Sequence, residues 1–169
     1  MPAGALAFRF TARLVRLDQG VPYHALPVPD EIVAAWKKAK IRRLVGTLNG
    51  HATKRALMSH AGGGGFLIIG RELMKAAGIG LKTPVIAQFK PDPAPAELDV
   101  PPEFEAVLNQ DAAARARWDT FTVGRRRSLL IYITTAKTES TRIKRSLDLA
   151  RMIRTPSLYG DRLKQKPVT

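Results

Sequence analysis

Cysteine is absent from the 169 residues. No disulfide framework, thiolate nucleophile or cysteine-bound zinc site is therefore open to the chain, and a reducing cytoplasm is its expected location. Acidic residues are scarce, with 14 Asp and Glu against 28 Lys and Arg, a formal charge of +14. The only histidines are His24, His51 and His60; no pair has i, i+4 spacing and no carboxylate accompanies them at ligand spacing, so neither metal nor cofactor is expected. Aromatics make up 7% of the chain, and apart from Phe8 and Phe10 they do not interleave with arginines, which gives little support to stacking on single-stranded nucleic acid. Apolar runs fall short of the roughly 18 residues that a membrane span needs. The opening "MPAGALAFRF" lacks a basic leader with a long apolar stretch, so the expectation is a soluble, unexported protein.

The positive charge comes in two blocks. Residues 1–92 carry 14 basic and 5 acidic groups, residues 93–120 carry 2 and 6, and residues 121–169 carry 12 and 3. Such an excess attracts polyanions and equally serves solubility. Four consecutive glycines in "HAGGGGFLIIGREL" pose the question of a phosphate loop. A phosphate loop places its glycines after a strand and directly before a helix, where N–H groups converge on the anion. Here they precede the apolar "FLIIG", so the run reads as a tight turn into a buried strand.

The first 92 residues alternate in the manner of strands. "FRFTARL" places Phe8, Phe10, Ala12 and Leu14 on one face, and Val15 and Leu17 then take the other parity, which suggests a β-bulge near Leu14. Asn49-Gly50 between two β-rich runs is the preferred chemistry of a two-residue hairpin. Short helices are expected over "EIVAAWKKAK", capped by Asp30, and over "RELMKAAG". Prolines 91, 93 and 95 stiffen the next stretch, in which Leu98 and Val100 are candidates for a last edge strand. Beyond it lie helices over "PEFEAVLNQ", "DAAARARWDTF" and a pair split at Lys137, the second capped by Thr138. Leu129, Leu130 and Ile133 form one apolar stripe; Ile143, Leu147 and Ala150 form another. The division predicted is a β-barrel domain over 6–92, a proline-rich linker or edge strand over 93–102, a helical region over 103–154 and a flexible tail over 155–169.

Two segments carry a resemblance. "FTARLVRL…YHALPVPDEI…RRLVGTLNG…FLIIGRELMKAAGIG…VIAQF" resembles the bacterial domain of unknown function that precedes the YdeI/OmpD-associated region, and "FTVGRRRSLLIYITTAKTESTRIKRSLDLARMI" resembles that region itself. The signature AK-x-x-x-TR-x-x-R is present as Ala136, Lys137, Thr141, Arg142 and Arg145. The resemblance implies an α+β fold, a small double-split, AbrB-like β-barrel followed by helices, in proteins linked to protection against bacteriocins or other antimicrobials; it brings no chemical mechanism. The chain departs from the family at Gly70, at "GLKTPV" and at Ser140, the last two removing carboxylates.

No catalytic group stands out. Ser59 and Ser128 lie outside any strand-turn-helix elbow, and Glu103 and Glu105 read as first-turn helix charges, so the reading leans away from an enzyme. The expected function is non-catalytic binding of an antimicrobial, with Tyr23, Trp36 and Trp118 lining a pocket. Arg126, Lys137, Arg142 and Arg145 grip phosphate or carboxylate in this reading; in the competing one, Arg142 ties the Lys137 turn to the acidic stretch Glu97 to Asp119. Nucleic-acid binding through the basic surface is the alternative function, and the chain is expected as a monomer or homodimer.

Overall fold

The computed structural model describes residues 6–19 and 21–162. They form two compact units, divided between Pro95 and Ala96. The first holds strands β1 (Phe8–Arg13), β2 (Val15–Gln19) and β3 (Val21–Val28), helix α1 (Asp30–Lys38), and strands β4 (Arg43–Leu48), β5 (His51–Ala56), β6 (Met58–Ser59) and β7 (Gly65–Ile69). Helix α2 (Arg71–Ala76) and strand β8 (Pro84–Pro91) complete it.

Two four-stranded antiparallel sheets result, ordered β1-β8-β4-β5 and β2-β3-β7-β6. The edge strands of one sheet run directly into those of the other: β1 passes into β2 through Leu14, and β5 into β6 through Leu57. The two sheets therefore join at both edges into a closed barrel, the arrangement that leaves fewest unpaired strand edges. Leu26, Leu44, Leu48, Leu67, Val85 and Phe89 fill the interior, with Trp36 of α1 packed among them.

Several sequence expectations change here. The parity change after Leu14 is a corner: Leu14 stays in the core, and Val15 and Leu17 lie opposite Ala25 and Tyr23 on the outer face of the second sheet. Pro29, not Asp30, occupies the cap position of α1, and Asp30 contributes first-turn charge. Leu98 and Val100 join no strand; the last ladder ends at Pro91, and the prolines on both sides of residues 96–100 remove ladder donors there. The hairpin stands as predicted, with positive φ at Asn49 and Gly50. The Asn49 amide also accepts from Ile86 N–H and donates to the Ala77 carbonyl, fastening the turn to β8 and α2.

The second unit is helical, with α3 (Pro102–Gln110), α4 (Ala112–Asp119), α5 (Val123–Thr134), α6 (Glu139–Arg154) and α7 (Tyr159–Arg162). Its core joins Phe104, Leu108, Trp118, Leu130, Ile133 and Leu149. Thr138 caps α6 as expected, accepting from Thr141 N–H. The buried face of α6 is Ser146, Leu149, Ala150 and Ile153, whereas Ile143 and Leu147 are 43% and 56% exposed. Of the apolar stripe read from sequence, only Ala150 lies on the buried face. Ser146 fits inside because its hydroxyl donates to the Arg142 carbonyl.

Of the flexible tail expected over 155–169, residues 163–169 lie outside the described residues, and α7 (Tyr159–Arg162) falls within the rest. Leu158 is buried, and Asp161 accepts from Leu158 N–H and from the guanidiniums of Arg117 and Arg125. Burial pushes the Asp161 carboxyl up, but the Arg117 and Leu158 hydrogen bonds outweigh it and hold the group below its ordinary value. A depressed folded pKa means stability that is present above the unfolded value, about 4, and lost as pH falls through the folded one. Asp161→Asn is therefore expected to lower the Tm at pH 7 and to shrink the gap to wild type in an acid titration followed by circular dichroism.

Candidate anion-binding cleft

The residues singled out from sequence fall into three groups. Trp36 is fully buried in the barrel core, its Nε1–H donating to the Leu6 carbonyl at 2.9 Å and its ring edge-on to Phe8. Trp118 is 2% exposed in the helical core, edge-on to Phe104. Both indoles fill core positions, and neither has surface left for a ligand. Tyr23 is partly exposed, stacked on Phe66, and lines a small pocket of about 220 Å³ with Arg16, His24 and Arg71.

The signature arginines are engaged within the helical unit. Arg142 Nε donates to Glu103 at 2.7 Å, a hydrogen bond that holds the Glu103 carboxyl below its ordinary range. This is the tie from the Lys137 turn to the acidic stretch that the sequence allowed. Arg145 donates to the Tyr132 carbonyl and the Thr135 hydroxyl, covering the last turn of α5. Arg126 does the same for α4 through the carbonyls of Trp118 and Asp119 and lies over the Trp118 ring. These cations satisfy helix C-termini, where the backbone exposes carbonyls and partial negative charge. Lys137 is exposed in the α5–α6 turn. Within the signature, Thr141, Arg142 and Arg145 make hydrogen bonds inside the helical unit, Ala136 is buried and Lys137 is exposed.

A different constellation comes together on the barrel. Where α1 ends and β4 begins, the sequence runs "WKKAKIRR", five bases within residues 37–43. Trp36 and Ile41 anchor this turn through Ile41 N–H to the Trp36 carbonyl, and Lys40 between them adopts φ 58°. Left-handed backbone of this kind is the ordinary station of glycine after a helix, and a lysine there carries a conformational cost. Opposite lies the Leu57 corner, tied by Leu57 N–H to the Arg42 carbonyl at 2.9 Å.

Between them opens a cleft of about 620 Å³ lined by Lys37, Lys40, Ile41, Arg42, Leu57, Met58 and Ser59. Three cations and a hydroxyl face it together with three apolar side chains, and no acid lines it. Lys37 also donates to the Gly64 carbonyl. The carbonyl end of α1 works against an anion here, but only as about half a charge, and three full positive charges outweigh it. On the neighbouring strands, burial and the proximity of Arg43 depress the pKa of Arg55, a further mark of crowded positive charge. The cleft can therefore hold a carboxylate, sulfonate or phosphate with an apolar body against Ile41, Leu57 and Met58.

Sequence reading passed over this cleft because lysines at a helix C-terminus have a sufficient structural explanation in the macrodipole. The available signal was the absence of Gly or Asn at position 40. Lys40→Gly is expected to stabilise the barrel by about 0.5–1 kcal/mol through relief of the left-handed strain, less glycine's unfolded-state entropy. The same change removes one cleft cation, so denaturant unfolding and anion binding should move in opposite directions.

Residues 97–155 match the family model described as "Bacteriocin-protection, YdeI or OmpD-Associated", and residues 10–86 match that of DUF1905, a domain of unknown function. No curated protein and no solved structure matches the chain. The first match takes in Thr141, Arg142 and Arg145 with their contacts inside the helical unit, and the second takes in most of the barrel and its cleft. The chain is thus similar to DUF1905 over most of its barrel and, after it, to the YdeI/OmpD-associated family over its helical region.

Proposed function

We propose that this is a non-catalytic binding protein that protects its host by capturing an antimicrobial that presents an anionic group and an apolar body. The name of the matched family supplies the biological setting. The single observation that carries the chemical part is the cleft, in which Lys37, Lys40 and Arg42 surround a mixed polar and apolar volume with no acid in its lining. Charge-assisted hydrogen bonds to such an anion contribute about 1.5–3 kcal/mol each, enough for micromolar capture when two form and apolar surface is buried alongside.

Survival of a susceptible bacterial strain expressing the chain, challenged with a panel of acidic and basic antimicrobials, tests the reading. Wild type should protect against acidic, partly apolar members, and Lys40→Glu/Arg42→Glu should not, although both proteins accumulate in folded form. Equal protection by both, or protection confined to basic compounds, would show that the cleft takes no part.

A further inference from the structure

The outer face of the second sheet is apolar across its whole width. Reading across the register, Val15, Ala25 and Ile68 form one row and Pro27, Phe66 and Met58 the next. Ala25 and Phe66 are buried, yet neither belongs to the barrel core; they lie beneath their neighbours on the outside, with Tyr23 and His60 against the Phe66 ring. Val15, Ile68 and Met58 remain 38–39% exposed. No charged side chain interrupts these rows. An antiparallel sheet with one solvated face ordinarily alternates to polar residues there, so the pattern departs from what solubility alone requires.

Two places beside this strip are cationic. Met58 lines the cleft of Lys37, Lys40 and Arg42. Tyr23 and Ile68 line the pocket that includes Arg16 and Arg71. Positive charge therefore lies in two places around the apolar strip, along its β6 edge and where β2, β3 and β7 meet the start of α2. The surrounding unit reinforces this, since residues 1–95 carry 14 basic and 5 acidic groups.

We infer that this face is a docking surface for an anionic lipid bilayer, the apolar rows entering the interface while the flanking cations engage headgroups. A single acidic peptide would concentrate its charge on one side of the strip. A bilayer presents negative charge all round an apolar contact, as the two separated basic pockets require. Among the described residues no helix is long and apolar enough to cross a membrane, so the attachment is peripheral. The inference does not depend on what the cleft captures.

Co-sedimentation of the full chain with vesicles tests it. Wild type should bind phosphatidylglycerol/phosphatidylcholine vesicles and not pure phosphatidylcholine. Ile68→Glu, at a half-exposed position that leaves the core intact, should weaken binding by about tenfold or more. Met58→Glu gives the same reading from the opposite edge if the first variant melts early. Undiminished binding by both variants would show that charge alone attracts the lipid and would overturn the inference. So would a wild-type dimer that Ile68→Glu converts to monomer without any vesicle binding, because a second copy would then cover the face.

Discussion

Gly46→Val yields no folded barrel. A Cβ at position 46 would stand 1.8 Å from the Gln88 carbonyl oxygen and 2.8 Å from Phe89 Cα, both backbone atoms of the paired strand β8. Gly46 lies opposite Phe89 in the middle of the β4–β8 ladder, so relief requires the two central strands of the first sheet to part. No flexible side chain can yield in their place. The expected loss is about 4 kcal/mol or more, the range confined to a few severe mechanisms and a large share of a small domain's stability. Gly62→Ala is the matched control: an added Cβ there meets nothing within 4 Å, and its effect should stay within about 0.5 kcal/mol. Expression, circular dichroism and urea unfolding distinguish the two outcomes, and a stable Gly46→Val protein would mean that the strands pair differently.

Trp36→Ala is the second large effect. The side chain has no exposed surface, donates to the Leu6 carbonyl and packs edge-on against Phe8. Truncation leaves a cavity the size of an indole in the barrel and an unpaired carbonyl, together expected to cost about 3–5 kcal/mol. Trp36→Phe keeps most of the apolar contact but not the hydrogen bond, and about 1–2 kcal/mol is expected. Because the Trp36 carbonyl also accepts from Ile41 N–H at the base of the cleft, both changes should loosen the turn that presents Lys40. Chemical denaturation gives the stability, and the Lys40 backbone shift in an NMR spectrum of Trp36→Phe reports the turn.

These two positions illustrate how far the sequence could be read. Trp36 was expected to line a ligand pocket, but it lies with Ile32 and Val33 on the buried face of α1, and that packing leaves it no exposed surface. Gly46 was not singled out, because the closeness of β4 to β8 is set by a partner strand some forty residues later. The Asn49-Gly50 hairpin, the Thr138 cap and the Arg142 tie to the acidic stretch were legible, each depending on local geometry or on complementary charge. The corner at Leu14 was not, since an apolar outer face and a bulge produce the same change of parity. On α6 two adjacent faces carry comparable apolar residues, and only the partners of Ser146 and Leu149 decide between them. The order in residues 155–162 rests on Arg117 and Arg125 reaching Asp161 from distant helices, a contact that composition alone does not reveal.

The proposed function rests on the cleft, and titration calorimetry with laurate, a carboxylate on an apolar chain, tests it most directly. Wild type should bind, and Lys40→Glu/Arg42→Glu should bind about 100-fold more weakly, in keeping with the loss of two charge-assisted contacts. A control that removes the same charge elsewhere, Lys75→Glu/Lys82→Glu at two exposed positions, should stay near wild type. Equal affinity for the cleft variant and wild type, or equal weakening by the distant control, would contradict the assignment.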